Sequence, residues 1–256
     1  MFDCNKRKKY ILPYIETHLV DHCNLKCDKC GHFCHLIDEE FYTDVEQFNK
    51  DLNVLSKKVD FYRIRLLGGE PLLHSSVNDF MIITRTYFPF SDIRIVTNGI
   101  LLPTMNKTFW DTVRRYRIKI DLSKYPILGN KFSELLDLID DEKAMLGNIQ
   151  LSKRFYDKLN EQGNADAEKS YFSCASRKAL NLWNQKIYTC QACYRYYYNR
   201  KFNKNIPLPK GVDIYETSAK DIFKIFNLDK PDNACKYCYE ISKEFPWHLY
   251  KDVQQL

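Results

Sequence analysis

A chain of 256 residues with 45% hydrophobic and 14% aromatic residues can bury a full core, which excludes a disordered chain and suits one large domain with a modest appendage. No apolar run approaches the roughly 18 residues of a membrane span, and the basic start MFDCNKRKKYIL lacks the apolar stretch of a signal peptide, so a soluble, unexported protein is expected. The formal charge of +6 counts every cysteine as neutral. Iron–sulfur ligation of seven thiolates would lower it to about +3, so the basic excess does not by itself specify nucleic acid, and anionic substrates suit it equally. Ten cysteines carry more information, because eight fall in tight groups with metal-ligand spacing, which points to a reduced cytoplasm rather than to disulfides.

The first predicted strand, Tyr14 to Val20, runs directly into a cysteine loop. Thr43 and Glu46 form a capping-box pattern before a helix whose apolar face is Val45, Phe48, Leu52, Leu55 and Val59. Phe61 to Leu67 reads as a second strand ending in Gly68 and Gly69, followed by a helix near Val77 to Phe88. A third strand, Ile93 to Thr97, ends at Asn98 and Gly99, a helix covers Thr108 to Arg115, and a fourth strand, Ile118 to Ser123, stops at Tyr125 and Pro126. Strands alternating with helices imply parallel, right-handed crossovers and an α/β barrel with function at the strand C-terminal ends. Beyond about residue 170 the pattern becomes a hairpin, Ala179 to Thr189 turning at Asn184 and Gln185, then a helix from Ser218 to about Phe226 and a last cysteine pair.

Cys23, Cys27 and Cys30 stand at CxxxCxxC, three thiolates that leave one iron of a cubane free to chelate a small molecule. Spacing alone leaves an alternative, since Cys34 can complete an ordinary cluster or a zinc site. CNLKC, then LLGGEPLLH at 66–74 and IVTNG at 95–99, resembles the radical S-adenosylmethionine (SAM) superfamily over residues 12–126. The resemblance implies a partial (β/α)6 TIM-type barrel over residues 12–165, with a [4Fe–4S] cluster on those cysteines. It also implies SAM binding by Gly68, Gly69, Glu70 and Pro71, with Asn98 and Ser123 beside the ribose and carboxylate. Lys29 departs from the superfamily, which usually has an aromatic just before the third cysteine; either Phe33 packs on the adenine instead or that packing is lost.

Cys174, Cys190, Cys193, Cys235 and Cys238 form the second group. Its two CxxC pairs suit a structural zinc site as well as a cluster. A cysteine, a hairpin, a second cysteine and a late CxxC resemble the small C-terminal auxiliary iron–sulfur module, called twitch or SPASM-like, that follows some radical SAM barrels. On that resemblance residues 166–256 hold an auxiliary [4Fe–4S] cluster on Cys174, Cys190, Cys235 and Cys238, with Cys193 left as an alternative ligand to Cys190 or as a buried spare thiol. The likeness is to 2-deoxy-scyllo-inosamine dehydrogenases and to radical SAM proteins encoded beside glycosyltransferases.

It implies reductive cleavage of SAM to a 5′-deoxyadenosyl radical and oxidation of a small carbohydrate or cyclitol, nucleotide-linked or free, with the auxiliary cluster as electron acceptor. A flavodoxin or ferredoxin would supply the external electron. A sugar epimerase, with Cys193 or Cys34 as hydrogen donor, and a peptide-modifying enzyme are the alternatives; Cys4 is expected to matter least. The run YRYYYNRKFNKNIPLPK from 194 to 210 has the composition of a nucleic-acid surface but more often makes an edge strand and a solvated face, so nucleic acid is not expected as a partner. His18, His22, His32, His35 and His74 are expected to be structural, since no carboxylate pairing is visible. Lys153, Arg154 and Asp157 are placed to reach a substrate between the clusters.

Overall fold

The computed structural model describes residues 9–227 and 229–250; Cys4 lies outside them. β1 (Tyr10–Val20) buries Leu12, Ile15, Leu19 and Val20 on both of its faces, the mark of a central parallel strand. α1 (Val45–Lys58) presents Phe48, Leu52 and Leu55 to the sheet. Its cap is not the expected Thr43: the Asp44 carboxylate accepts the Gln47 N–H at 2.7 Å, while the Thr43 hydroxyl donates to the His18 carbonyl at 2.8 Å and ties the helix start to β1.

β2 (Val59–Gly68), α2 (Val77–Tyr87), β3 (Asp92–Thr97), α3 (Lys107–Arg115), β4 (Lys119–Lys124), α4 (Lys131–Asp141) and β5 (Met145–Leu151) follow in strict alternation. The five strands pair in chain order, all parallel, so their C-terminal ends open on one rim. This is the mixed α/β partial barrel that the alternation predicts. The helices also pack on one another, Phe48 of α1 against Phe80 of α2 with ring centroids 4.8 Å apart; truncating either buried ring costs about 3–5 kcal/mol.

Five parallel strands follow one another in chain order, and the sixth parallel strand of the sheet comes from later in the chain. After Leu151 the chain leaves the rim of the sheet, and β6 (Arg154–Leu159) pairs antiparallel with β10 (Cys238–Pro246). The free edge of β1 is covered instead by β7 (Leu180–Trp183), parallel to it, with β8 (Lys186–Tyr188) and β9 (Gly211–Asp213) antiparallel beyond. Asn184 and Gln185 turn the β7–β8 hairpin at φ 48 and 61, as their positions predicted. α5 (Ala167–Ser173), α6 (Arg195–Phe202) and α7 (Ala219–Asn227) complete the fold. No helix among the described residues is long and apolar enough to cross a membrane.

Inside the sheet Asp92 gathers Arg94 at 2.8 Å, Arg63 at 3.0 Å and Lys119 at 3.1 Å. Burial works against its charge, but these cations hold the carboxyl down at about 2.

Candidate active site

Val20 delivers the chain into the loop that carries the first three cysteines. The loop is fixed from both sides. On one, Gly69 N–H donates to the Val20 carbonyl at 2.9 Å and Glu70 N–H to the His22 carbonyl at 3.1 Å. A Cβ at Gly68 would meet the Val20 oxygen at 2.0 Å, and Gly68 holds φ +151. The two glycines are thus required by the close approach of the cysteine loop, a second reason for them besides ligand access.

On the other side lies the end of the described chain. Asp28 N–H donates to the His248 carbonyl at 3.0 Å, Tyr250 N–H to the Lys26 carbonyl at 2.6 Å, and the Trp247 indole N–H to Cys27 Sγ at 3.2 Å. Nothing in the residue spacing indicated that Trp247 would reach the loop.

Cys23, Cys27, Cys30 and Cys34 line one cavity of about 610 Å³ with Gly68, Gly69, Asn98 and Ser123. Glu70 and Pro71 stand behind that wall, both buried. The Glu70 carboxylate accepts from Thr97 Oγ1 at 2.7 Å, Asn98 N–H at 2.9 Å and Leu72 N–H at 3.2 Å, so it locks the end of β2 to that of β3. Burial raises its carboxyl to about 7 in spite of those three donors. Asn98 Nδ2 donates to Asn24 Oδ1 at 2.7 Å and lies 3.9 Å from Cys23 Sγ, joining the third strand end to the loop.

Cys23, Cys27 and Cys30, with a backbone rim beside them, fit a cluster that keeps one iron open, and Cys34, buried, is the fourth thiol on the same wall. Burial and the neighbouring Glu70 push the Cys23 thiol up, a charge that the positive irons of a cluster would relieve. Among the described residues no three His, Cys, Asp or Glu side chains gather as tightly as a single ion demands. A cubane spreads its ligands over different irons.

Cys174, Cys190, Cys235 and Cys238 line a second cavity of about 390 Å³. They come from the end of α5, the end of the hairpin and the turn into β10, elements far apart in sequence. Cys193 is fully buried instead, packed with Ile37, Tyr188, Tyr194 and Tyr197, and contributes to neither cavity. Between the two groups a space of about 280 Å³ is lined by Cys30 on one side and by Cys174, Cys190 and Cys238 on the other.

Phe33, expected over the adenine, faces this middle space and not the 610 Å³ cavity. Its ring meets Tyr198 edge-on at 6.0 Å. Lys29 bonds Asp157 at 3.0 Å, which fastens the loop to β6. Lys153 and Arg154 do line the large cavity, Arg154 paired with Glu244 at 2.5 Å.

The histidines include one pairing that the sequence hid. His18 Nδ1 sits 2.5 Å from Asp21 Oδ1 and its Nε2 2.8 Å from His32 Nδ1, with the ring of Tyr194 stacked at 3.8 Å. Burial beside His18 lowers His32 to about 4, so it is neutral where it meets the large cavity. Glu16 and Arg65 line the same cavity from adjoining positions of β1 and β2 and also escaped the sequence reading. Residues 195–202 of the basic aromatic run form a helix rather than an edge strand; Tyr194, Arg195 and Tyr197 are buried and the Tyr197 hydroxyl bonds Asp21, while residues 200–205 make the expected exposed face.

Parallel strands whose ends gather a three-cysteine loop, a double-glycine rim and an asparagine define the class: the chain is similar to the radical SAM enzymes and shares their partial barrel. It is 17% identical to BtrN, solved in complex with AdoMet and 2-DOIA, at a TM-score of 0.56 over 92% of this chain and 100% of that one. It is 13% identical to anSMEcpe with bound AdoMet, at a TM-score of 0.55 over 89% and 82%.

Among curated proteins, the GTP 3′,8-cyclase of Trichodesmium erythraeum (strain IMS101) is 31% identical over 132 residues, 47% of this chain and 39% of the cyclase. That of Thermodesulfovibrio yellowstonii (strain ATCC 51303 / DSM 11347 / YP87) is 23% identical over 189 residues, 69% and 53%. The chain thus spans about two-fifths to half the length of these relatives. No protein-family profile matches it.

Proposed function

We propose that the chain is a radical SAM oxidoreductase that converts a secondary alcohol of a small carbohydrate or cyclitol to a ketone. The observation that carries this is the convergence of Cys23, Cys27, Cys30, Gly68, Gly69, Asn98 and Ser123 on one cavity, with four further cysteines around a second, separate one. The neighbour solved with AdoMet and 2-DOIA supports the substrate class.

In this reading Cys23, Cys27 and Cys30 hold a [4Fe–4S] cluster, which with SAM supplies a 5′-deoxyadenosyl radical once an external carrier such as flavodoxin or ferredoxin has delivered an electron. Cys174, Cys190, Cys235 and Cys238 would hold an auxiliary cluster, which when bound would serve as a one-electron acceptor. Gly68 and Gly69 present backbone to the SAM amino group with Glu70 and Pro71 bracing them, and Asn98 and Ser123 flank its ribose and carboxylate.

Substrate enters the part of the cavity lined by Glu16, Arg65, Lys153 and Arg154. There the carbinol hydrogen leaves as an atom, Glu16 accepts the hydroxyl proton, and the remaining electron passes out toward Cys30 and the second cysteine group. The electron gained at the start equals the electron released at the end, so alcohol and SAM give ketone, methionine, 5′-deoxyadenosine and a proton. The basic lining suits a phosphorylated or nucleotide-linked substrate.

Anaerobic reconstitution tests this. About eight irons per chain, with 5′-deoxyadenosine formed from SAM after reduction, is expected; about four irons without cleavage would end the reading.

A further inference from the structure

Arg195 begins α6 and is 2% exposed. Its Nη2 donates to Cys238 Sγ at 2.7 Å, and its Nη1 donates to the Ala234 carbonyl at 3.1 Å and the Pro207 carbonyl at 3.4 Å. Among the described residues no carboxylate pairs with it. A guanidinium stays charged at any accessible pH, and burying one against neutral groups alone is costly. Four neutral thiols would leave that cost standing, whereas four thiolates around a [4Fe–4S]2+ core carry about −2 and offer a counter-charge at the observed contact.

The same charge bears on electron transfer. Reduction adds one more negative charge to a buried cluster, and a cation hydrogen-bonded to a ligand sulfur stabilises the reduced form. Arg195 also lines the 280 Å³ space between the two cysteine groups, the side from which an electron would arrive. By contrast, on the first loop the Trp247 indole donates to Cys27 and the Leu25 N–H to Cys23, and both donors are neutral. A cation at one site and a neutral donor at the other would set the two clusters apart in potential.

We propose that Arg195 is a positioning residue that raises the reduction potential of the auxiliary cluster through its N–H···S bond to Cys238, and so makes that cluster the electron acceptor. The inference rests on the auxiliary-cluster reading above.

The test is an EPR redox titration of anaerobically reconstituted protein, wild type against Arg195→Met. The auxiliary midpoint should move to lower potential in the variant while that of the SAM cluster stays in place. An auxiliary midpoint unchanged in a protein that retains about eight irons overturns the proposal. Should Arg195→Met fail to load, wild type and Arg195→Lys, each grown on 15N-arginine, give the answer: a 15N hyperfine coupling to the reduced auxiliary cluster is expected in wild type and lost in Arg195→Lys, and its absence from wild type overturns the proposal. A wild type with about four irons and a redox-silent second site would instead defeat the underlying reading, a result distinct from an unmoved midpoint.

Discussion

The carbonyl oxygen of His22 occupies the space that a side chain on residue 69 would need: a Cβ there would stand 1.8 Å from it. Gly69 and His22 therefore hold the second strand end and the cysteine loop in one arrangement. Replacing Gly69 by Ala pushes the loop off the rim, and the expected outcome is loss of the first cluster with the second retained. Iron per reconstituted chain should fall from about eight to about four, with cleavage of SAM reduced at least about 100-fold.

Cys190 and Cys193 should separate cleanly. Cys190→Ala removes a wall of the second cavity and is expected to cost about four irons. Cys193→Ala empties a small volume among Tyr188, Tyr194 and Tyr197, lowers stability by about 1 kcal/mol, and leaves the iron in place. Iron analysis beside urea unfolding reads both, and iron loss in Cys193→Ala would exchange their roles.

Glu16 faces Arg65 and Asn181 on the flanking strands and Tyr14 and His18 on its own, and burial raises its carboxyl. It accepts a proton only above that raised value, so ketone formation should climb with pH through it. Glu16→Gln should flatten the climb and lower ketone formation by about 100-fold or more, while 5′-deoxyadenosine still appears. Ketone trapping against pH, with sugars and cyclitols screened as substrate, measures it; an unchanged profile in the variant would remove Glu16 as the base.

Asp92 tests the barrel rather than the chemistry. Its carboxyl is held at about 2, below its unfolded value, so its contribution is present above about pH 4 and disappears as pH falls through 2. Asp92→Asn should lose about 2 kcal/mol at pH 7, with the gap from wild type closing toward pH 2. Urea unfolding at several pH values follows the closure.

What could be read in advance follows from the range of the signals. Val20, Gly68, Asn98 and Ser123 end strands whose apolar alternation is local, so the barrel and its rim were legible. β5 and β6 were not, because Met145–Leu151 is exposed for most of its length and lacks a buried pattern. The Asp21–His18 pair escaped because three residues across a strand end have no fixed geometry until Tyr194 and Tyr197 pack on them. Arg195 lies in a stretch whose composition suggests a solvated face, and only the tertiary placement of Cys238, 43 positions on, turns it inward.

The contact between Cys27 and Trp247 spans 220 positions of sequence. The loop that holds the first three thiols is therefore closed by some of the last described residues to leave the ribosome. A nascent chain whose barrel strands have already formed still lacks this side of the loop, and closure over so long a separation is slow. The loop is completed only when residues 247–250 settle onto 26–28, and its thiols still face the 610 Å³ cavity afterwards.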